Sequence, residues 1–251
     1  MQVTRVAVVT GASSGIGAAT ARALAADGWL CVLLARREER VRAIAAEVGG
    51  EFEVCDVSDR GAVEAVAERV SARHPAIGLL INNAGIRGRG TFLSAPPELI
   101  EQTVATNYLG GAWCLRAFLP ALEAGAPSDV VNVVSVAGTV ALALSGPYAA
   151  SKHAQLAFSR STVALLRPRG IRVHSVLPGF VETEGFPQRV RSRNRLWQRA
   201  ILEPEDVARR IVAVVGREKP ETTVPRWYRP LTLPASLAPG LVARLGGRRA
   251  R

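Results

Sequence analysis

An apolar run over residues 3–9, rich in β-branched side chains, passes directly into Thr10-Gly11-Ala12-Ser13-Ser14-Gly15-Ile16-Gly17, and an alanine-rich helical pattern follows over 18–26. Strand, glycine turn, helix is the context that makes a glycine pattern a phosphate site. Gly11 would permit the tight turn, Gly15 would let the backbone approach a pyrophosphate, and Gly17 would let helix pack on strand. The free N–H groups and the positive dipole end of the helix would then face the anion. The spacing is GxxxGxG rather than GxGxxG, a different version of the same device. Taken alone, such a segment also fits a tight turn with no ligand.

The remainder of the chain repeats the alternation. Strand-like runs at residues 30–35, 52–55, 78–81, 130–134 and 173–177 are interleaved with helical patterns near 38–48, 59–73, 97–123, 148–167 and 204–215. That is the pattern of βαβ units, and it predicts an α/β fold with one doubly wound parallel sheet and helices on both faces. Asp59 is placed to cap one helix and Pro204 to open another. A chain of 251 residues suits one domain burying about 70 to 75% of its extended surface. No internal repeat or linker is evident.

A second feature sits mid-chain. Lys152 and Lys219 are the only lysines among 32 basic residues, so arginine supplies positive charge almost everywhere else. Lys152 follows Tyr148 by four residues, a spacing that stacks both side chains on one helix face. A cation there favours the phenolate, and a compact ammonium can grip a diol. An unperturbed tyrosine, with a pKa of about 10, is a poor base at neutral pH. A second positive charge, such as an oxidised nicotinamide, would help. YxxxK alone also fits an ordinary exposed pair.

Together the motifs resemble the short-chain dehydrogenase/reductase family in its classical form, over roughly residues 3 to 216 and in the family's order. Thr10 to Gly17 matches TGxxxGxG, Asn82-Asn83-Ala84-Gly85 matches NNAG, Tyr148 and Lys152 match YxxxK, and Pro178-Gly179 with Thr183 matches PGxxxT. Asn107 and Ser135 stand where the family places a helix asparagine and a strand-end serine. The resemblance implies a Rossmann-type sheet and hydride transfer between a nicotinamide and a carbonyl or secondary alcohol carbon. It implies Tyr148 as proton donor or base, Ser135 as hydrogen-bond partner of the same oxygen, and Lys152 on the nicotinamide ribose. Asn107 would organise a proton-relaying water. The cofactor-binding set it implies is Gly11, Ser13, Ser14, Gly15, Ile16, Gly17, Arg36, Arg37, Asp56, Val57, Asn82, Ala84 and Gly85. Tyr148, Lys152, Pro178, Gly179, Val181 and Thr183 complete it. Ser135 also fits a strand-end turn residue, and Asn107 a helix-bending one.

The residues after the second strand bear on which nicotinamide cofactor is used. An acidic side chain there would bind the adenosine ribose 2′-OH, whereas this chain has Ala35-Arg36-Arg37. Arg36 is placed for a forked contact with a 2′-phosphate, with Ser13 as a second partner implied by the resemblance. The expectation is NADP(H) in preference to NAD(H). Arg36 and Arg37 alternatively just begin a charged helix.

The first run begins almost at Met1 and no signal peptide fits, so a cytoplasmic location is expected. Cys31, Cys55 and Cys114 fall in apolar segments and read as buried thiols, and the scattered His74, His153 and His174 suggest no metal site. The uncharged stretch 130–151 is interrupted by Asn132, Ser135, Gly138, Gly146 and Pro147 and reads as strand, loop and helix start, not as a membrane span.

The net charge of +11 is concentrated. Arg189, Arg191, Arg193, Arg195 and Arg199 occupy residues 184–202, where the family carries a substrate lid. Arg226, Arg229, Arg244, Arg248, Arg249 and Arg251 occupy a tail from residue 225 that has no acidic residue. Domain boundaries are therefore expected at 1–224 for the catalytic unit and 225–251 for the tail. Basic clusters attract anions; an acidic carrier protein, an anionic membrane surface and plain solvated surface all remain open, with nucleic acid disfavoured for want of a binding motif. In the tail Trp227, Tyr228, Leu231, Leu233, Leu237, Leu241, Val242 and Leu245 interleave with arginine and with Pro230, Pro234 and Pro239. That suits a peripheral membrane contact or a flap over a hydrophobic substrate. The expected activity is an NADP(H)-dependent oxidoreductase for a hydrophobic small-molecule carbonyl or alcohol. A 3-oxoacyl thioester reductase and a non-catalytic sensor or scaffold are the alternatives, and a homodimer or homotetramer is the assembly implied by resemblance.

Overall fold

The computed structural model describes residues 5–140, 146–189, 198 and 200–230. Its strands are β1 (Arg5–Thr10), β2 (Trp29–Ala35), β3 (Glu51–Val54), β4 (Leu79–Asn82), β5 (Ser128–Val133), β6 (Ile171–Pro178) and β7 (Glu221–Val224). All pair in parallel in the order β3-β2-β1-β4-β5-β6-β7. Helices α1 (Gly15–Ala26), α2 (Glu38–Val48), α3 (Arg60–Arg73), α4 (Pro97–Val104), α5 (Gly110–Ala124), α6 (Gly146–Leu166) and α7 (Pro204–Val214) cover both faces.

Strand residues alternate between two apolar layers because successive side chains point to opposite faces. Val6 and Val8 pack with Val66 and Val70 of α3 and Phe118 and Leu122 of α5. Ala7 and Val9 pack with Ala21 and Leu24 of α1 and Val207 and Ile211 of α7. Central strands buried on both sides read as continuous apolar runs. From β1 the chain winds outward to β2 and β3, then returns to β4 and winds the other way. The reversal opens a crevice at the carboxyl ends of β1 and β4, the place where such sheets bind ligands.

Asp59 caps α3 by accepting from the Ala62 amide at 3.1 Å, and Pro204 opens α7 behind a Glu203–Asp206 capping box. The expected single helix over 97–123 is instead α4 and α5 joined by a π-helical turn, Ala105–Leu109. Apolar periodicity runs on through such a turn, so the pattern does not reveal it. The uncharged stretch 130–151 contributes β5, a short 3-10 turn at Val136–Gly138 and the first turn of α6. No helix of the described residues is long and apolar enough to cross a membrane.

Part of the expected tail packs on the domain. Tyr228 is buried, and its ring sits so close over Gly179 that a Cβ there would lie 2.4 Å from it. Arg189 pairs with Glu203 at the start of the expected lid. Arg191, Arg193, Arg195 and Arg199 lie outside the described residues, as do Leu231, Leu233, Leu237, Leu241, Val242, Leu245 and the arginines from 244 onward.

Candidate active site

The crevice holds a cavity of about 450 Å³. Its floor is the turn from β1 into α1. Gly11 and Gly15 sit at φ 66° and 55°, in the left-handed region that favours glycine. A Cβ on Gly17 would meet the Gly11 carbonyl oxygen at 2.4 Å, so the helix approaches the strand as closely as only glycine allows. The Thr10 hydroxyl donates to the Ile81 carbonyl at 3.1 Å and accepts from the Asn83 and Ala84 amides at 3.0 Å. That stitches the turn to the end of β4. No side chain caps α1 at Ser14, which leaves its first N–H groups facing the cavity. The glycine cradle, the open helix end and the cavity size fit a nicotinamide dinucleotide.

One end of the cavity is lined by Arg36 and Arg37. Arg36 Nη1 lies 3.5 Å from Asp56 Oδ2. Burial works against ionisation of Asp56, but hydrogen bonds from Ser58 and the charge of Arg36 outweigh it and hold the carboxyl below its ordinary range. Arg37, not Arg36, reaches the glycine turn: its Nη2 donates to Ser13 Oγ at 3.0 Å and Ser14 Oγ at 2.7 Å. The serine expected as a second phosphate partner beside Arg36 is thus already in contact with Arg37. Arg37 is the last extended residue before α2, so its side chain turns back over the turn while Arg36 points toward β3.

At the opposite end Ser135, Tyr148 and Lys152 converge. Ser135, two residues past β5, accepts from the Ala137 amide at 3.1 Å, donates to the Pro178 carbonyl at 3.4 Å and faces the cavity beside Tyr148. Lys152 is buried, donates to the Val133 carbonyl at 3.0 Å and to Gln155 Oε1 at 2.7 Å, and sits 5.9 Å from the centre of the Tyr148 ring. Burial pushes the Tyr148 phenol up to about 12, only partly offset by Ser135, and pushes the Lys152 ammonium down to about 7. The lowering of the phenol by its neighbour expected from the spacing is therefore reversed here. Desolvation dominates, and the ammonium is drawn to carbonyl oxygens instead of the hydroxyl.

Three expected residues stand behind the cavity wall. Gly17 lies beneath Gly11. Asn82 faces away from the cavity: its Nδ2 donates to Asn132 Oδ1 at 2.9 Å, and Asn132 passes the chain to Ser159 at 2.9 Å. Its neighbour Asn83 lines the cavity in its place, with Nδ2 on the Thr10 carbonyl at 2.9 Å. Asn107 accepts from the Ile86 amide at 2.7 Å and donates to the Ile86 carbonyl and Ser151 Oγ, each at 3.0 Å. It ties the NNAG loop to α6. Gly11, Ser13, Ser14, Gly15, Ile16, Arg36, Arg37, Asp56 and Val57 line the cavity, as do Ala84, Gly85, Pro178, Gly179, Val181 and Thr183.

Several lining or supporting residues escaped the sequence. Gln155 could have been found three residues past Lys152 on the same helix face. Glu184 and Phe186 follow Thr183 directly; the Phe186 ring lies 5.5 Å from that of Tyr148, and the Arg87 guanidinium lies 6.0 Å from Phe186. The position of Arg87 directly after the NNAG motif already marks it as bordering the substrate, and it does line the cavity; only its approach to Phe186 needed the fold.

The comparisons with known proteins agree with this geometry. The family described as short chain dehydrogenase matches residues 5–194. A Streptomyces virginiae protein named for ketoacyl reduction in the monensin polyketide synthase is 40% identical over 74% of this chain and 74% of its own length. An actinorhodin polyketide ketoreductase variant solved with NADPH superposes with a TM-score of 0.81 at 29% identity, covering 89% of this chain and 97% of that one. A short chain dehydrogenase/reductase from Burkholderia phymatum solved with NAD gives 0.83 at 26% identity, with 95% of each chain covered.

Proposed function

Because the chain belongs to the short-chain dehydrogenase/reductase family of oxidoreductases, we propose that it is an NADP(H)-dependent enzyme interconverting a carbonyl and a secondary alcohol on a hydrophobic substrate. The observation that carries this reading is the convergence of Ser135, Tyr148 and Lys152 on one wall of a cavity whose other end is the glycine cradle with Arg36 and Arg37. When bound, the nicotinamide supplies or accepts the hydride.

The chain's own residues handle the proton and the oxygen. Tyr148, kept protonated by burial, donates to the alkoxide that develops as the carbonyl is reduced. Ser135 holds the same oxygen where charge grows. Lys152 binds the nicotinamide ribose hydroxyls and lies beside the phenol that must be reprotonated. Asn107 fixes Ile86 and α6 so that this wall keeps its shape. Phe186 closes the substrate end with an apolar surface, and Arg87 adds a donor there.

A 3-oxoacyl thioester is the substrate class favoured by one specific observation, the naming of a 40% identical relative for ketoacyl reduction. Arg87 suits it, because such a substrate presents a second carbonyl beside the reacting one. The experiment is NADPH oxidation with ketones, aldehydes and oxoacyl thioesters, run beside NADH. Tyr148→Phe should bind NADPH normally and lose turnover by about 10²- to 10⁴-fold, the usual worth of a positioned acid. Undiminished turnover would assign the proton to another group, and equal use of NADH would remove the cofactor preference.

A further inference from the structure

The arginine cluster at the adenosine end already holds an anion of its own. Glu184, one residue past Thr183, places its carboxylate 3.3 Å from Arg37 Nη1 and 2.5 Å from Arg40 Nη1. Arg37 simultaneously grips Ser13 and Ser14 through its other nitrogens. Glu184 lines the same cavity as Arg36 and Arg37 although it comes from the segment after β6, about 147 residues along the chain from Arg37. Arg36, Arg37 and Arg40 bring three positive charges to this end; Asp56 and Glu184 answer with two negative ones.

We propose that Glu184 is a specificity-tuning residue that occupies Arg37 in place of a ribose 2′-phosphate and must yield that guanidinium when a 2′-phosphorylated dinucleotide binds. The inference rests on the NADP(H) reading above. Glu184 holds Nη1 of Arg37 while Ser13 and Ser14 hold Nη2, and a phosphate carrying about −1.5 to −2 charge competes with the carboxylate for these charge-assisted hydrogen bonds. Two anions sharing one arginine repel each other, so the carboxylate that neutralises the cluster also opposes the phosphate. Glu184 is 55% exposed. It can therefore swing into solvent, or stay on Arg40 alone, without leaving a buried charge. The chain thus lowers its affinity for the phosphorylated cofactor while keeping the cluster partly neutralised without it. A nucleotide lacking the 2′-phosphate does not contest Arg37.

The test uses adenosine 2′,5′-bisphosphate and 5′-AMP as probes, with dissociation constants measured by calorimetry at low ionic strength. Glu184→Gln keeps the shape and removes the charge. Binding of the bisphosphate should tighten about 2- to 5-fold, the scale of an exposed ion pair, and 5′-AMP should be unchanged. In an Arg37→Ala background the same substitution should have a clearly smaller effect on the bisphosphate, because the contested group is gone and only the direct repulsion remains; an undiminished effect would overturn the competition for Arg37. Weaker or unchanged bisphosphate binding in Glu184→Gln, in a wild type that does prefer the bisphosphate, overturns the competition and leaves the NADP(H) reading standing; Glu184 would then be orienting Arg37. Equal binding of both probes by the wild type overturns the NADP(H) reading and the competition together.

Discussion

Lys152 is the side chain whose environment differs most from what its chemistry requires. Burial disfavours its ammonium, which donates to the Val133 carbonyl and Gln155 Oε1. In the free protein it loses its proton near pH 7, far below the ordinary lysine value of about 10.4. The group that grips ribose hydroxyls should be the cation, so kcat/KM for NADPH, which reports the free enzyme, is expected to fall as pH rises through about 7. The sign is set by the lowered value: protonated below it, neutral above. Initial rates at limiting NADPH from pH 5.5 to 9 would check this, and a flat profile would show that Lys152 stays charged or is not needed so. The tyrosine carries the opposite shift, and its phenol remains a donor across the same range.

At the scale of elements, the site is made by two departures from regular structure. The first is the β1–α1 turn. Gly17 lies in α1 with no positive φ, so its requirement is purely one of space: a Cβ would stand 2.4 Å from the Gly11 oxygen and 2.6 Å from Asn83 Nδ2. Gly17→Ala should therefore push α1 off β1, costing about 1 to 3 kcal/mol as overpacking does, and weaken 5′-AMP binding in parallel. Thermal unfolding together with 5′-AMP titration measures both, and an unshifted melting temperature with unaltered affinity would show that the turn relaxes freely. The second departure is the π turn at Ala105–Leu109, which brings Asn107 onto Ile86 and Ser151. A continuous α-helix would rotate every residue after it by a fraction of a turn.

Across the whole molecule, the end of the sheet far from the cavity is tied by a buried ionic cluster. Asp129 on β5 accepts from Arg172 at 2.9 and 2.8 Å, from His174 Nε2 at 2.8 Å and from the Gly216 amide at 3.2 Å. It thereby joins β5 and β6 to the turn after α7. Burial opposes ionisation of this carboxyl, but Arg172 and His174 outweigh it and hold its pKa below the ordinary value. A carboxylate with a lowered folded pKa lends its full stability above the unfolded value of about 3.9 and loses it as pH falls through the folded one. Asp129→Asn should cost about 3 to 5 kcal/mol at pH 7, the usual result of breaking a buried pair from one side. Below pH 4 the gap between wild type and variant should narrow. Denaturant melts at pH 7 and pH 3.5 provide the comparison; a constant gap would place the carboxylate's contribution in hydrogen bonding independent of charge.

What a sequence can hold is whatever depends on near neighbours in the chain. The alternation of strand and helix is written in hydrophobic period, and the extra-close approaches at Gly11 and Gly17 are written as glycine, because each concerns a few consecutive residues. The Tyr148 and Lys152 spacing likewise placed both on one wall. Tertiary structure decided everything that depends on distant partners. It set Arg37 on Ser13, turned Asn82 inward and Asn83 outward, and brought Glu184 onto Arg37 and Arg87 beside Phe186. It also reversed the expected shift of Tyr148, since a pKa follows the solvent a group has lost as much as the charge beside it. Burial is a property of the packed molecule, and no local pattern carries it.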